Sequence, residues 1–177
     1  MTAAAAEASD QRPLSLRVLV DQPEIPGNTG NLIRLAAITG VELHLAEPLG
    51  FDFADAKLRR AGLDYHDLAV MTIHPSLEAA YEALGLDEEV PQEQRPRVFA
   101  FTGEGTTGHT QISYQPGDVM LFGRESVGLD ELVKADPRIT AKVRIPMMPS
   151  RRSLNLANSV SIAVYEAWRQ NGFSGAA

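Results

Sequence analysis

The sequence predicts an α/β fold around a mostly parallel sheet, and three observations carry that prediction. Short, β-branched apolar runs alternate along the chain with segments whose apolar residues recur at helical spacing. The apolar runs are nearly continuous, as in strands covered on both faces, where an alternating pattern would mark a half-solvated strand. The chain, at 177 residues, has the length of one domain and shows no internal repeat and no boundary for a second.

Residues 16–20 (LRVLV) read as the first strand. Residues 28–39 follow as a helix with Leu32, Leu35, Ala36 and Thr39 on one face and Gly40 as its stop. A second strand spans 41–45 and ends before Pro48; a short basic helix spans 54–60; a third strand spans 68–73. Residues 76–84 have Ser76 as a cap, Pro75 ahead of it, and Leu77, Ala80, Tyr81 and Leu84 at helical spacing. The acidic stretch 85–96 holds two prolines and reads as a surface loop. Strands are then expected at 97–102 and 118–122, with a Gly/Thr-rich stretch between them. A short helix at 129–134, a last strand at 141–145 and a final helix over about 154–170 complete the order, with Ser153 as the N-cap candidate of that helix.

Composition removes several function classes. There is no cysteine, which excludes a disulfide framework, a thiolate nucleophile, Cys-ligated zinc and iron–sulfur clusters. The four histidines have no metal-ligand spacing, so no metal site is expected. Sixteen basic residues against 23 acidic ones give a net charge of −7, which argues against nucleic-acid binding by bulk charge and leaves room for a local basic patch. No run reaches the roughly 18 apolar residues a membrane span needs, and residues 1–13 read as a flexible tail with no secretory pattern. A cytoplasmic protein is the expectation.

Gly103-Glu104-Gly105-Thr106-Thr107-Gly108 is a literal G-x-G-x-x-G, but a dinucleotide fingerprint must open a helix. The continuation HTQISYQPGD has no helical face, so the stretch reads as a glycine loop beside a ligand. Three other segments carry more polar groups than structure requires. In PEIPGNTGNLIR, Asn28, Thr29, Asn31 and Arg34 gather after a strand end. In LFGRESVGLDE, Glu125 falls beyond the carboxyl end of a strand, where open α/β sheets bind ligands. In RIPMMPSRRSLNLANSVSIAVYEAW, Ser153, Asn155, Asn158, Ser159 and Ser161 crowd the first half of a helix otherwise patterned for burial.

N-T-G-N-x-x-R, then L-F-G-x-E-x-x-G-L, then I-P-M with a following S-x-N and a later Y-E resemble, in that order, the three motifs of the SpoU branch of the SPOUT methyltransferases. The resemblance covers about residues 16–173. Within the branch, PEIPGNTGNLIRLAAITG, KLRRAGLDYH and NLANSVSIAVYEAWRQ are similar to the TrmL-like group of tRNA wobble-nucleotide (cytidine/uridine) 2′-O-methyltransferases.

That resemblance implies a single SPOUT domain over 14–173, a short tail over 174–177 and a C-terminal trefoil knot. It further implies S-adenosyl-L-methionine as cofactor, a homodimer and a tRNA anticodon stem-loop as substrate. Carried over by position, Phe101, Thr102, Gly123, Ile145, Met147, Ser153 and Leu154 would meet the cofactor. Arg34, Asn28, Glu125, Ser153 and Asn155 would serve catalysis. For RNA the candidates are Lys57, Arg59, Arg60, Tyr65, His66, Arg124, Arg151 and Arg152. Arg124 stands where the TrmL-like group is expected to have proline. The alternatives are a SpoU enzyme for another tRNA position or rRNA, a non-catalytic RNA-binding protein, and an NAD-binding oxidoreductase built on Gly103–Gly108.

Overall fold

The computed structural model describes residues 15–53 and 71–176. β1 (Arg17–Asp21) leads to α1 (Pro26–Thr39), β2 (Glu42–Ala46), β3 (Met71–His74) and α2 (Leu77–Ala83). Then come β4 (Val98–Phe101), β5 (Thr107–Gly108), β6 (Val119–Phe122), the single turn α3 (Glu131–Lys134), β7 (Ile139–Arg144) and α4 (Leu156–Gln170). Among the described residues one sheet takes all seven strands in the order β3-β2-β1-β6-β4-β7-β5, and every neighbouring pair is parallel.

Successive strand residues point to opposite faces, and this sheet buries both. Val18, Val20, Phe99, Phe101, Met120 and Phe122 face one way and pack with α1 and α4. Leu19, Val98, Ala100, Val119 and Leu121 face the other way, toward α2 and α3 through Ala80, Tyr81 and Leu129. Double coverage is why the central runs lack polar residues at alternate positions. Each helix has a local reason for its ends. Pro26 opens α1, and Gly40 closes it at φ 73, its N–H on the Ala36 carbonyl at 2.9 Å. The Ser76 hydroxyl accepts from the Ala79 N–H and starts α2.

Some expectations move. α1 begins at Pro26, two residues before Asn28, so Asn28 lies inside the helix and its side chain is free to reach elsewhere. The N-cap of α4 is Asn155, whose Oδ1 accepts from the Asn158 N–H at 3.2 Å; Ser153 lies two residues before that cap. The last strand starts at Ile139, because β4 continues to pair with it there. The Gly/Thr-rich stretch contains the edge strand β5, paired with Val143 and Arg144 of β7. The helix expected at 54–60, and residues 68–70 of the third predicted strand, lie outside the described residues.

Candidate functional site

The sheet reverses its strand order beside β1: the chain steps outward from β1 to β2 and β3, whereas β6 and β4 fill the other side. A crevice outside the carboxyl ends of β1 and β6 follows from that reversal, and such switch points are where open α/β sheets hold ligands. A cleft of about 570 Å³ opens there, walled by the loops after β4, β6 and β7 and by the start of α4. All seven residues expected to meet a cofactor, Phe101, Thr102, Gly123, Ile145, Met147, Ser153 and Leu154, line it.

Hydrogen bonds knit the three polar segments together at this cleft. The Glu125 carboxylate accepts from the backbone N–H of Glu24 at 2.7 Å and of Ile25 at 3.2 Å, and from Asn28 Nδ2 at 3.1 Å. Asn28 is buried, and its Oδ1 accepts from Asn155 Nδ2 at 2.9 Å. Asn155 then caps α4, so one chain of contacts runs from the loop after β6 through α1 to the start of α4. The lock is reciprocal: the Glu24 carboxylate accepts from the N–H of Ser126 at 2.9 Å and its hydroxyl at 2.8 Å. Those bonds hold the Glu24 carboxyl below the usual carboxylate range. Sequence reading misses Glu24 and Ser126; the only signal was that each adjoins a motif, and their pairing across 102 positions is a property of the fold.

Two glycines make the close approaches. A Cβ at Gly123 would lie 2.3 Å from the Gly128 carbonyl carbon and 2.3 Å from the Leu129 nitrogen, and Gly128 itself sits at φ +74. A Cβ at Gly105 would lie 2.5 Å from the Val143 carbonyl carbon, which presses the glycine loop against β7. No helix opens after Gly108, only a 3₁₀ turn at His109–Gln111, so the dinucleotide reading has no structural support.

The remaining candidates are spread out. Arg34 is exposed on α1 and does not line the cleft of its own chain. Asn31, Arg34 and Ile38 follow one stripe of α1, and Asn158, Ile162 and Tyr165 one stripe of α4; both stripes are exposed, and the two helices pack against each other. Arg151 and Arg152 are exposed in the segment before α4. Arg124 is ion-paired with Asp130, so its charge is already engaged within the protein. Lys57, Arg59, Arg60, Tyr65 and His66 lie outside the described residues. Among the described residues no helix is long and apolar enough to cross a membrane, and no cluster of three or more His, Asp or Glu is placed to hold a metal.

Beneath the site, Asp21 at the end of β1 is buried, and its Oδ1 has no hydrogen-bond partner among the described residues. Burial first, then the charge of Asp130, pushes its carboxyl up to about 6, with Arg124 opposing. A carboxyl raised on folding binds its proton more tightly in the native state, so its contribution to stability is lost as pH rises from about 4 through 6. Asp21→Asn is therefore expected to gain about 2–3 kcal/mol over wild type at pH 7.5, and little at pH 4. Urea titrations of both proteins at the two pH values check this, and an equal difference at both would reject the titration.

The SpoU rRNA Methylase family matches residues 15–165. A tRNA (cytidine(34)-2'-O)-methyltransferase of Escherichia coli (strain K12) is 49% identical over 161 residues, covering 91% of this chain and 97% of its own. A solved structure concerned with 2-OH methylation of C/U34 on tRNA superposes with a TM-score of 0.79 at 43% identity, covering 92% of this chain and 99% of that one. The SpoU methyltransferase AviRb from Streptomyces viridochromogenes, solved in complex with the cofactor AdoMet, gives a TM-score of 0.75 at 27% identity, covering 92% of this chain and 62% of its own.

Proposed function

This chain belongs to the SpoU methylase family, and from that premise we propose that it methylates the ribose 2′-oxygen of the wobble cytidine or uridine of tRNA, with S-adenosyl-L-methionine as donor. The observation that carries the reading is the Glu125–Asn28–Asn155 chain, which joins the three motif segments at the mouth of one cleft. Extensive likeness to the Escherichia coli tRNA (cytidine(34)-2'-O)-methyltransferase supports the choice of nucleotide.

The cleft fits such a donor. Its volume lies within the range of about 300–1,000 Å³ typical of small-molecule sites. Phe101 and Phe122 stack at 4.6 Å between ring centroids and form an apolar wall with Ile145. Backbone groups at Gly123 and Leu154 line the cleft where they can meet an adenine edge, and Gly103 puts no side chain into it. When bound, S-adenosyl-L-methionine supplies a methyl group already activated by its sulfonium. The protein's share of the work is to place a ribose hydroxyl in line and stabilise its oxygen as the proton leaves. Asn28, held by Glu125 and Asn155, and Asn155, held by Asn28, are placed to orient the ribose, and Ser153 stands beside them at the cleft. The Arg34 guanidinium offers donors and no acceptor, so its role is to stabilise the developing alkoxide or fix the adjacent phosphate.

Because Arg34 stands outside its own cleft, we assign it to the cleft of a second copy in a homodimer formed through the exposed stripes of α1 and α4. Exposed Ile38, Ile162 and Tyr165 supply the apolar part of that interface. Exposed Arg151 and Arg152 are assigned to tRNA phosphates, with the anticodon stem-loop as the recognised element. We place the trefoil knot in the stretch around β7, which returns between β4 and β5, and the enzyme in the cytoplasm with its substrate.

The test is methyl transfer from labelled donor to tRNA unmodified at the wobble position, with nucleoside mass spectrometry and sedimentation of the same preparation. A 2′-O-methylpyrimidine at the wobble position from a dimeric protein is expected. Transfer to rRNA alone would overturn the substrate, and absence of donor binding would overturn the reaction.

A further inference from the structure

Lys134, the last residue of α3, is only 7% exposed although its side chain ends in a cation. Its Nζ donates to Glu104 at 2.7 Å and to Glu131 at 2.7 Å. The two carboxylates stand in different places. Glu131 lies three residues back on the same turn, so that pair is internal to α3. Glu104 belongs to the glycine loop after β4, thirty positions away, and both Glu104 and Lys134 line the cleft.

The base of the loop is fixed without this pair. The Gly105 N–H bonds the Thr102 carbonyl at 3.1 Å, and Gly105 is packed too closely on Val143 to shift inward. Its tip is different. Glu104 is exposed, its own N–H reaches Thr102 Oγ1 only at 3.4 Å, and its side chain is held by Lys134. The ammonium also holds the Glu104 carboxyl below the usual range, so the pair stays charged at neutral pH. One wall of the cleft is thus tied to another at the rim, by two side chains with no place in the methyl-transfer chemistry.

We propose that the Glu104–Lys134 pair is a clasp on the cofactor cleft, a positioning device that slows release of S-adenosyl-L-methionine and of its demethylated product. The inference rests on the cofactor reading above. A ligand held between the loop after β4 and the segment before α3 leaves more easily when the rim contact is gone. Glu131 contacts the same ammonium without spanning the cleft, and so provides the control.

Calorimetric titration of both ligands, with stopped-flow displacement, is run on wild type, Glu104→Gln and Glu131→Gln. Glu104→Gln is expected to raise Kd about five- to tenfold through a faster off-rate, the scale of one charge-assisted hydrogen bond lost. KM for the donor rises with it while kcat holds. Glu131→Gln is expected to stay within about twofold of wild type, because Glu131 lies on the same turn as Lys134 and does not line the cleft. Raising salt weakens wild-type binding toward the Glu104→Gln value and leaves that variant nearly unchanged. Equal Kd values for the two variants would overturn the clasp, whether both match wild type or both are weakened. Wild type that binds neither ligand would instead remove the cofactor reading on which the clasp depends.

Discussion

Arg34→Ala is expected to lower kcat by about 10²–10³-fold, the usual cost of removing one donor that faces developing negative charge. Donor affinity, measured by calorimetry on the same protein, is expected to stay at the wild-type value. The asymmetry follows from placement: Arg34 is exposed on α1 and absent from the lining of its own cleft, so its removal leaves the walls of that cleft untouched. Arg34→Lys keeps the charge but loses the planar fork, and should recover only part of the rate. A stronger check comes from mixing. If Arg34 acts on the cleft of a second copy, Arg34→Ala combined with inactive Asn155→Ala should yield heterodimers with one working site. Activity regained on mixing supports the cross-subunit placement, and none regained from a mixture shown to exchange subunits rejects it. Loss of donor binding in Arg34→Ala would mean that Arg34 shapes the cleft rather than the reaction.

The parts of this molecule legible in its sequence are those set by local chemistry. The core strands announce themselves because β4 and β6, and β1 between Arg17 and Asp21, are buried on both faces and carry only apolar residues there. Gly40 announces the end of α1 because only a left-handed residue closes a helix there. Sequence points to Ser153 as the cap of α4, but the Asn155 side chain can accept a backbone N–H equally well. What decides between them is Asn28, 127 positions away, which takes the Asn155 amide and so fixes where α4 begins. β5 was illegible for the same reason: two residues of a Gly/Thr stretch become a strand only because β7 lies beside them. The candidate site follows this division. Its residue types stood out in three motifs, while the Glu24–Ser126 lock and the Glu104–Lys134 pair needed the fold to bring distant positions together.

Gly123→Ala should test how far the cleft depends on the turn after β6. The added Cβ meets backbone on the far side, the Gly128 carbonyl carbon and the Leu129 nitrogen, both at 2.3 Å. Backbone cannot swing aside as the end of a long side chain can, so the 123–129 turn must open. Overpacking of this kind costs about 1–3 kcal/mol of stability, but the functional loss should be larger. Opening the turn moves Glu125 away from the N–H groups of Glu24 and Ile25 and from Asn28, and so uncouples the cleft from α1 and α4. Donor binding is expected to become undetectable at concentrations that saturate wild type. Gly27→Ala supplies the comparison, because a Cβ there meets nothing within 4 Å and lies within a helix. That change should leave stability unchanged or raise it by up to about 1 kcal/mol. If Gly123→Ala binds donor normally while losing stability, the turn is a structural support and the cleft is held by its other walls. If binding disappears while the protein still unfolds cooperatively, the site depends on a backbone contact that only glycine permits.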